Sequence, residues 1–268
     1  SGIALPEKQQ TAYRELLTWV QTTALGVPVV LCVPPYATTT EGKVNYGYAP
    51  NVESAAAVVP ALAAEFGLPV IDVTAALAAH SGEYIYYKTD HHWTSLGAYY
   101  AYAAWMRSRG EEPTPAGNYT KETLCGDFRG TSYNKVNYAF APYDEIEGWY
   151  LKEEHLVTYN GGLSTDTSLY TRSFLSDTEK YGVFLNSNQA ETVVYGGGEG
   201  NLLIIKDSYA NTFAQFTADA FAQTHLIDLR FFTGSVKKYV AENGITDVLV
   251  LYNIPNFMID VDLPLCAK

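Results

Sequence analysis

Two short segments hold residues whose types and spacing could do chemistry, and the first is Asp90-His91-His92-Trp93. In an extended chain, residues i and i+2 point to the same side, so the Asp90 carboxylate can lie against a ring nitrogen of His92. Such a carboxylate fixes the imidazole tautomer and stabilises its protonated form, as in a Ser-His-Asp triad. His91 would then point the other way, toward solvent or a substrate. A metal-binding pair and a structural histidine that holds a loop are the alternatives.

The second segment is Asp207-Ser208-Tyr209, which follows the apolar run 202–205 and opens a helical pattern. A serine here can hold its hydroxyl at the rim of a sheet, while the helix N-terminus offers unpaired N–H groups to a developing oxyanion. This placement suits a nucleophile, although the surroundings are not the Gly-x-Ser-x-Gly elbow of other hydrolases. Because Ser and Asp are also ordinary helix N-caps, a structural role is the alternative.

The elements around these segments predict an α/β fold. Apolar runs typical of buried parallel strands alternate with helical patterns, which indicates a doubly wound, mostly parallel sheet with helices on both faces. In such a sheet ligands bind at the carboxyl ends of the strands, next to both segments. The predicted strands are 27–33, 68–73, 84–87, 202–206, 225–229 and 247–252, and the predicted helices are 8–22, 52–66, one ending near 79, 95–107, 209–222 and 235–243.

Residues 110–200 differ from this pattern, because glycines and prolines separate short Tyr-, Val- and Thr-rich pieces. We interpret this stretch as a β-strand and loop insertion within a single domain that spans residues 1–268. Cys32, Cys125 and Cys266 are far apart and lack CxxC spacing. They predict free or buried thiols, with neither a disulfide scaffold nor a zinc site.

Composition narrows the function classes. The formal net charge of −12 argues against a nucleic-acid partner, because little here could neutralise phosphates. No apolar run reaches the roughly 18 residues of a membrane span, and the abrupt beginning predicts that a signal peptide or membrane anchor has been removed. The 22 tyrosines suit wet, sugar-binding clefts as well as half-buried strands. Those expected to line a cleft flank the two segments: Tyr84, Tyr86, Tyr87 and Tyr209.

Several stretches resemble a known family. Residues 87–98, Tyr-Lys-Thr-Asp-His-His-Trp-Thr-Ser-Leu-Gly-Ala, resemble the motif that names the bacterial DHHW protein family, and residues 203–211 resemble its serine segment. The stretches 225–232 and 244–253 also fit, so the resemblance extends over most of the chain. This family is similar in turn to the SGNH-hydrolase-like domains of alginate O-acetyltransferases, in which an Asp-x-His-Trp motif precedes the nucleophilic serine.

The resemblance implies an SGNH-hydrolase-like fold with Ser208 as nucleophile, His92 as general base and acid, and Asp90 as the residue that orients His92. It also implies an extracellular, cell-surface enzyme that moves an acetyl group from a donor to a polysaccharide. A membrane-bound O-acyltransferase is the expected partner, and no cofactor or metal is expected.

SGNH-type sites use an Asn and a Gly near the serine to donate to the oxyanion. The best match is the segment 183–188, which makes Asn188 the candidate, although Ser187 stands where the family has glycine. The backbone N–H groups of Ser208 and Tyr209 could serve in part.

Two basic residues near the strand ends are less specific. Arg230, just beyond the predicted strand 225–229, could bind an anionic or carbonyl group or form a structural salt bridge. Lys206 is expected to point away from the site or to pair with an acid.

The expected activity is O-acetylation of an extracellular polysaccharide through an acyl-serine intermediate. A secreted carbohydrate acetyl esterase with the same triad is the first alternative, because the same residues serve when water is the acceptor. A metal-dependent phosphoesterase would recruit Asp90, His91 and His92 with Asp72 or Asp207. A non-catalytic glycan-binding or assembly module is the last alternative.

Overall fold

A computed structural model describes residues 29–32, 67–71, 73–136, 140–253 and 256–257, together with single positions nearer the amino terminus. The predicted helices 8–22 and 52–66 lie largely outside these ranges. The strands are β1 (Val29–Cys32), β2 (Val70–Ile71), β3 (Thr120–Phe128), β4 (Asp144–Tyr150), β5 (Val157–Tyr159), β6 (Ser164–Asp166), β7 (Glu191–Tyr195), β8 (Asn201–Lys206), β9 (Gln223–Ile227) and β10 (Asp247–Leu251); the α-helices are α1 (Val73–Ala78), α2 (Ser95–Ser108), α3 (Thr131–Val136), α4 (Tyr209–Thr217) and α5 (Val236–Glu242).

The central sheet is mixed, with the strand order β2-β1-β10-β8-β9-β7-β5-β6. The strands from β2 to β9 in this order pair in parallel, whereas β7, β5 and β6 pair antiparallel. The predicted α/β class is confirmed. Parallel pairing is limited to the strands from β2 to β9, and the doubly wound arrangement stays a prediction. The connection 160–163 between β5 and β6 is too short for the crossover that parallel pairing needs.

The stretch 110–200 contributes to both sheets. Strands β3 and β4 form a separate two-stranded antiparallel sheet, while β5, β6 and β7 extend the central one. Its description as an insertion into one domain stays a prediction. No helix in the described ranges has the length and apolar character needed to cross a bilayer. Cys32 and Cys125 are buried free thiols, and Cys266 lies outside the described residues.

Two predicted elements end differently in the structure. The predicted strand 84–87 is reduced to a bridge between Tyr86 and Trp93, because Tyr87 N–H donates to the His92 carbonyl and the chain folds back as a loop. Helix α4 ends at Thr217 and does not reach residue 222. The chain after α4 instead packs on a glycine.

That glycine is Gly196, where an added Cβ would lie 1.9 Å from the Ala218 carbonyl oxygen and 2.3 Å from that of Phe221. Only a residue without a side chain allows this approach of two backbones. Tertiary contact therefore overrides the helical pattern of residues 218–222.

Aromatic side chains hold α2 against α4 and β4. Trp105 lies 5.9 Å from Phe213, and Trp149 lies 5.7 Å from Phe216, measured between ring centroids. Thr94 begins α2 by accepting a hydrogen bond from an N–H in its first turn. The Asp-His loop precedes α2 and the serine precedes α4, so this packing fixes the two segments relative to each other.

His225 on β9 makes stability depend on pH. Its ring is buried, lying 2.7 Å from the Tyr239 hydroxyl, and burial lowers the pKa of His225 to about 4. The unfolded chain, with an imidazole pKa near 6.5, binds the proton first, so stability is unaffected above about pH 6.5 and falls as the pH drops toward 4. We expect this residue to lower the free energy of unfolding by about 3 kcal/mol across that window.

Urea unfolding near pH 7 and near pH 4 measures this loss, and a His225→Gln variant should lose about 3 kcal/mol less than the native chain. Equal losses in the two proteins would show that His225 does not contribute.

Candidate active site

Asp90, His92 and Ser208 come together at the carboxyl end of β8. His92 Nε2 lies 2.7 Å from Ser208 Oγ, and His92 Nδ1 lies 2.5 Å from Asp90 Oδ1. Ser208 stands at the N-cap position of α4, but its hydroxyl makes no capping hydrogen bond. The structure therefore places the serine hydroxyl on the imidazole, and the three side chains form one hydrogen-bonded chain suited to proton transfer.

The Asp90 carboxylate is fully buried and fully hydrogen-bonded. Its Oδ1 also accepts from the His92 N–H at 2.9 Å, and its Oδ2 accepts from the N–H and hydroxyl of Thr131 at 2.8 and 3.0 Å. Burial alone would raise the pKa of Asp90, but the charge and hydrogen bonds of His92 hold it well below its usual range. Asp90 is thus an ionised acceptor that can stabilise a protonated His92.

Tyr181 fixes the plane of the His92 ring. The two rings stack with centroids 3.8 Å apart and planes 11° from parallel. The Tyr181 hydroxyl donates to the Ser208 carbonyl at 3.1 Å and lies 2.6 Å from the Thr212 hydroxyl. Burial raises the pKa of Tyr181 well above its ordinary value, so the phenol stays protonated. The residue lies in a short 3-10 turn, Lys180–Val183, and no local sequence pattern marks it.

Asp144, the first residue of β4, anchors the loop that carries Asp90. Its carboxylate accepts from the N–H of Lys88 at 2.9 Å, from the N–H of Thr89 at 2.7 Å, and from the hydroxyl of Tyr84. The loop is therefore held by a strand that lies more than 50 residues away in the chain.

Gly130 lies directly against the Asp90 carboxylate. An added Cβ at this position would be 2.2 Å from Asp90 Oδ2 and 2.5 Å from its Cγ. Gly130→Ala should therefore push the carboxylate off His92 and lower kcat/KM for a chromogenic acetyl ester by about 100-fold or more, since small displacements of catalytic groups cost about that much. Gly126→Ala, on strand β3 just before Gly130 in the chain and with open space around it, is the matched control. Full activity in Gly130→Ala would show that the position of Asp90 is not critical.

A cavity of about 290 Å³ opens beside Ser208, and its wall includes His91, Tyr181, Asn188 and Arg230. Among the described residues, Tyr181 is the tyrosine that lines this cavity. The tyrosines predicted to line a cleft do not line this one, because they serve in the packing and anchoring of the loop and of α4: Tyr84, Tyr86, Tyr87 and Tyr209.

The structure separates the predicted oxyanion donors. The Asn188 side chain lies in the cavity wall, with its Oδ1 accepting from Lys206 Nζ at 3.1 Å and from Asn211 Nδ2 at 3.2 Å. The Tyr209 N–H donates to Asp207 Oδ1 at 2.9 Å, so it is not available to an oxyanion and that prediction is wrong. Asp207, and not Ser208, caps α4. The roles of Asn188 and of the Ser208 N–H as oxyanion donors stay predictions.

The turn before Asn188 is left-handed. Leu185, Asn186 and Ser187 have φ values of 52°, 55° and 64°. Residues with a Cβ are strained in this region, and glycine is not. Strain of this kind collects where a side chain must be aimed at a site, and Asn188 directly follows these three residues.

Arg230 and His91 both line the cavity and both have protein partners. Arg230 donates to Asp228 at 2.8 Å through Nε and at 2.5 Å through a terminal nitrogen, while 36% of its side chain is exposed. His91 Nδ1 lies 2.7 Å from the Thr131 hydroxyl. The His91 ring lies 3.9 Å from that of His92 and does not point away from it. The loop bends at these residues, so strand alternation does not apply.

The ligand atoms of Asp90, His91 and His92 lie within 4.8 Å of one another, close enough to share a metal ion. However, His92 Nδ1 and Asp90 Oδ1 already share a hydrogen bond, and His92 Nε2 faces Ser208. Asp207 is occupied by the N–H groups of Tyr209 and Asn253, and Asp72 lies outside the described residues. The geometry therefore favours proton transfer over metal coordination.

The fold is similar to that of several solved structures. The solved structure of a DHHW family protein from Eubacterium siraeum is 25% identical with a TM-score of 0.78, covering 98% of this chain and 89% of that one. Bacillus cereus PatB1 carrying a sulfonyl adduct is 20% identical with a TM-score of 0.72, covering 96% and 90%. The O-acetyltransferase domain of Pseudomonas putida AlgJ is 14% identical with a TM-score of 0.59, covering 96% and 87%.

No curated protein sequence matches significantly. The profile of the DHHW protein family matches residues 70–227, more than half of the chain and a range that contains both the Asp-His-His-Trp loop and Ser208. This protein therefore belongs to the DHHW family.

Proposed function

We propose that the protein is an O-acetyltransferase that modifies an extracellular polysaccharide through an acetyl-serine intermediate. The observation that carries this proposal is the hydrogen-bonded chain from Asp90 through His92 to Ser208 at the mouth of a cavity. The fold shared with the AlgJ O-acetyltransferase domain supports an acetyl group as the unit transferred.

In the first step, Ser208 Oγ attacks the acetyl carbonyl of a donor and its proton passes to His92 Nε2. The ionised Asp90 stabilises the imidazolium that forms. Asn188 and the Ser208 N–H hold the negative charge on the carbonyl oxygen. His92 then gives its proton to the leaving group, and the acetyl group remains as an ester on Ser208.

In the second step, a sugar hydroxyl attacks the acetyl-serine. His92 accepts the proton of that hydroxyl and returns it to Ser208 Oγ as the ester bond breaks, which regenerates the site. Water can replace the sugar, because Ser208 is only half-buried. That observation favours the second candidate function, a secreted carbohydrate acetyl esterase with the same three residues.

We also propose where the protein acts, outside the cell, and which kind of protein it works with. An acetyl group reaches the outside of a cell only if a membrane protein carries it there, so a membrane-bound O-acyltransferase would supply the donor. The net charge of −12 suits a domain that stays dissolved outside the cell.

The test is to trap the intermediate. The protein is incubated with p-nitrophenyl acetate, quenched and digested, and mass spectrometry should find one acetyl group on the peptide that contains Ser208. Adding an oligosaccharide before the quench should remove the adduct and yield acetylated sugar, whereas release of acetate alone would favour the esterase.

Two further arms separate the remaining alternatives. Activity that survives a chelator excludes the metal-dependent phosphoesterase, and loss of activity would support it. Absence of both the acetyl adduct and labelling of Ser208 by a fluorophosphonate would overturn the enzymatic proposal in favour of a glycan-binding module.

A further inference from the structure

Lys206 is a buried cation beneath the cavity. It ends β8, two residues before Ser208, and only 1% of its side chain is exposed. Burial lowers the pKa of Lys206, since an ammonium group loses its hydration inside a protein. A lysine in this position must offset that cost with well-placed partners.

The carboxylate beside Lys206 is already engaged. Asp228 Oδ2 lies 3.5 Å from Lys206 Nζ, but Asp228 receives shorter hydrogen bonds from Arg230, at 2.8 and 2.5 Å. The Asn188 Oδ1 atom is nearer to the ammonium, at 3.1 Å. The buried charge is therefore directed at a neutral amide in the cavity wall, as well as toward an acid.

An ammonium group fixes which way that amide faces. Lysine can only donate hydrogen bonds, so the side of Asn188 that meets Lys206 must be its oxygen. Asn211 Nδ2 donates to the same oxygen at 3.2 Å. The oxygen and the NH₂ group of an amide point in different directions, so with its oxygen on Lys206 the NH₂ group of Asn188 is directed away from that ammonium, and Asn188 lines the same cavity as Ser208.

We propose that Lys206 is a positioning residue for acyl transfer, whose ammonium holds the Asn188 amide with its N–H groups toward Ser208 and polarises them for an oxyanion. A cation on the amide oxygen draws electron density from the NH₂ group and strengthens it as a donor. The inference rests on the proposed function, because it needs an oxyanion to form at Ser208.

A double-mutant cycle tests this inference. Lys206→Met removes the charge at similar length, and Asn188→Ala removes the donor. Pre-steady-state acylation by p-nitrophenyl acetate is measured for both single variants and for the pair. Lys238→Met, an exposed lysine on α5, is the matched control.

Asn188→Ala should lower the acylation rate about 100-fold, as loss of an oxyanion donor does. Lys206→Met should lower it about 10-fold, in kcat and not in KM, because the amide is used only in the transition state. In the double variant, Lys206→Met should lower the acylation rate by less than about threefold relative to Asn188→Ala alone, since its effect passes through Asn188.

The inference would be overturned if Lys206→Met lowered the acylation rate as much in the Asn188→Ala background as in the native protein. It would also be overturned if the Lys206→Met variant alone acylated within about twofold of the native rate. Should Lys206→Met fail to fold, Lys206→Gln keeps a donor without the charge and enters the same cycle. Ser208→Ala distinguishes the two failures: if it retains acylation, the proposed function is wrong, and if it does not, only the role of Lys206 is in question.

Discussion

Ser208→Ala is expected to lower kcat/KM for an acetyl ester by about 10⁴- to 10⁶-fold while leaving the fold intact. The loss follows from the geometry, because the 2.7 Å hydrogen bond to His92 Nε2 involves the one atom that would carry the acetyl group. Stability should not change, since the Ser208 hydroxyl makes no capping hydrogen bond to α4. Steady-state kinetics and thermal unfolding measure the two quantities.

Ser235→Ala is the matched control. Ser235 is also a helix N-cap, but its side chain accepts a hydrogen bond from Lys238 N–H. Its replacement should cost about 1 kcal/mol of stability and no activity, the reverse of the Ser208 result. If Ser208→Ala instead lost stability and kept turnover, Ser208 would be an ordinary cap and not a nucleophile.

Asp90→Asn is expected to lower kcat about 10⁴-fold, because an amide cannot hold the His92 tautomer that accepts the serine proton. The Asp90 Oδ1 atom contacts the N–H and the Nδ1 atom of His92, and Oδ2 accepts from the N–H and the hydroxyl of Thr131. An asparagine NH₂ group would therefore face a hydrogen-bond donor in either orientation of the amide. The pH dependence of kcat and thermal unfolding are measured together.

Asp127→Asn, an exposed acid on β3 that pairs with Lys180, is the control and should stay within about twofold of native activity. A variant at Asp90 that kept about a tenth or more of native kcat would show that this carboxylate does not orient His92.

The sequence alone predicted the pairing of Asp90 with His92 and the place of Ser208 at a strand end, because each is local, whereas the triad roles were implied by the resemblance to the DHHW family. Asp90 and His92 are two residues apart, and Ser208 stands between an apolar strand and a helix. Residues that depend on loop geometry could not be placed in this way. The loop bends, so the His91 ring lies against that of His92, and Asp207 caps α4, so it accepts a hydrogen bond from the N–H of Tyr209.

The supports of the site come from distant segments with turn-like sequences. Thr131, Tyr181 and Asp144 contact the loop or Ser208 only because tertiary packing brings them there. The residues around Gly130 form no sequence pattern that predicts its contact with a carboxylate. The fold, too, could be predicted only in part. Long apolar runs predicted the parallel strands, whereas the three-residue strands β5 and β6 are too short to form a recognisable sequence pattern.

The position of β10 determines when the central sheet can form during synthesis of the chain. This strand follows both β1 and β8 in the chain, yet it lies between them in the sheet. Asn253, which follows β10, donates through its backbone N–H to Asp207, the residue before Ser208. A chain still emerging from the ribosome would hold β8 with an unpaired apolar edge, and such edges invite aggregation. This edge of β8 is therefore covered only once β10 has been made and paired, and the contact of Asn253 with Asp207 forms no earlier.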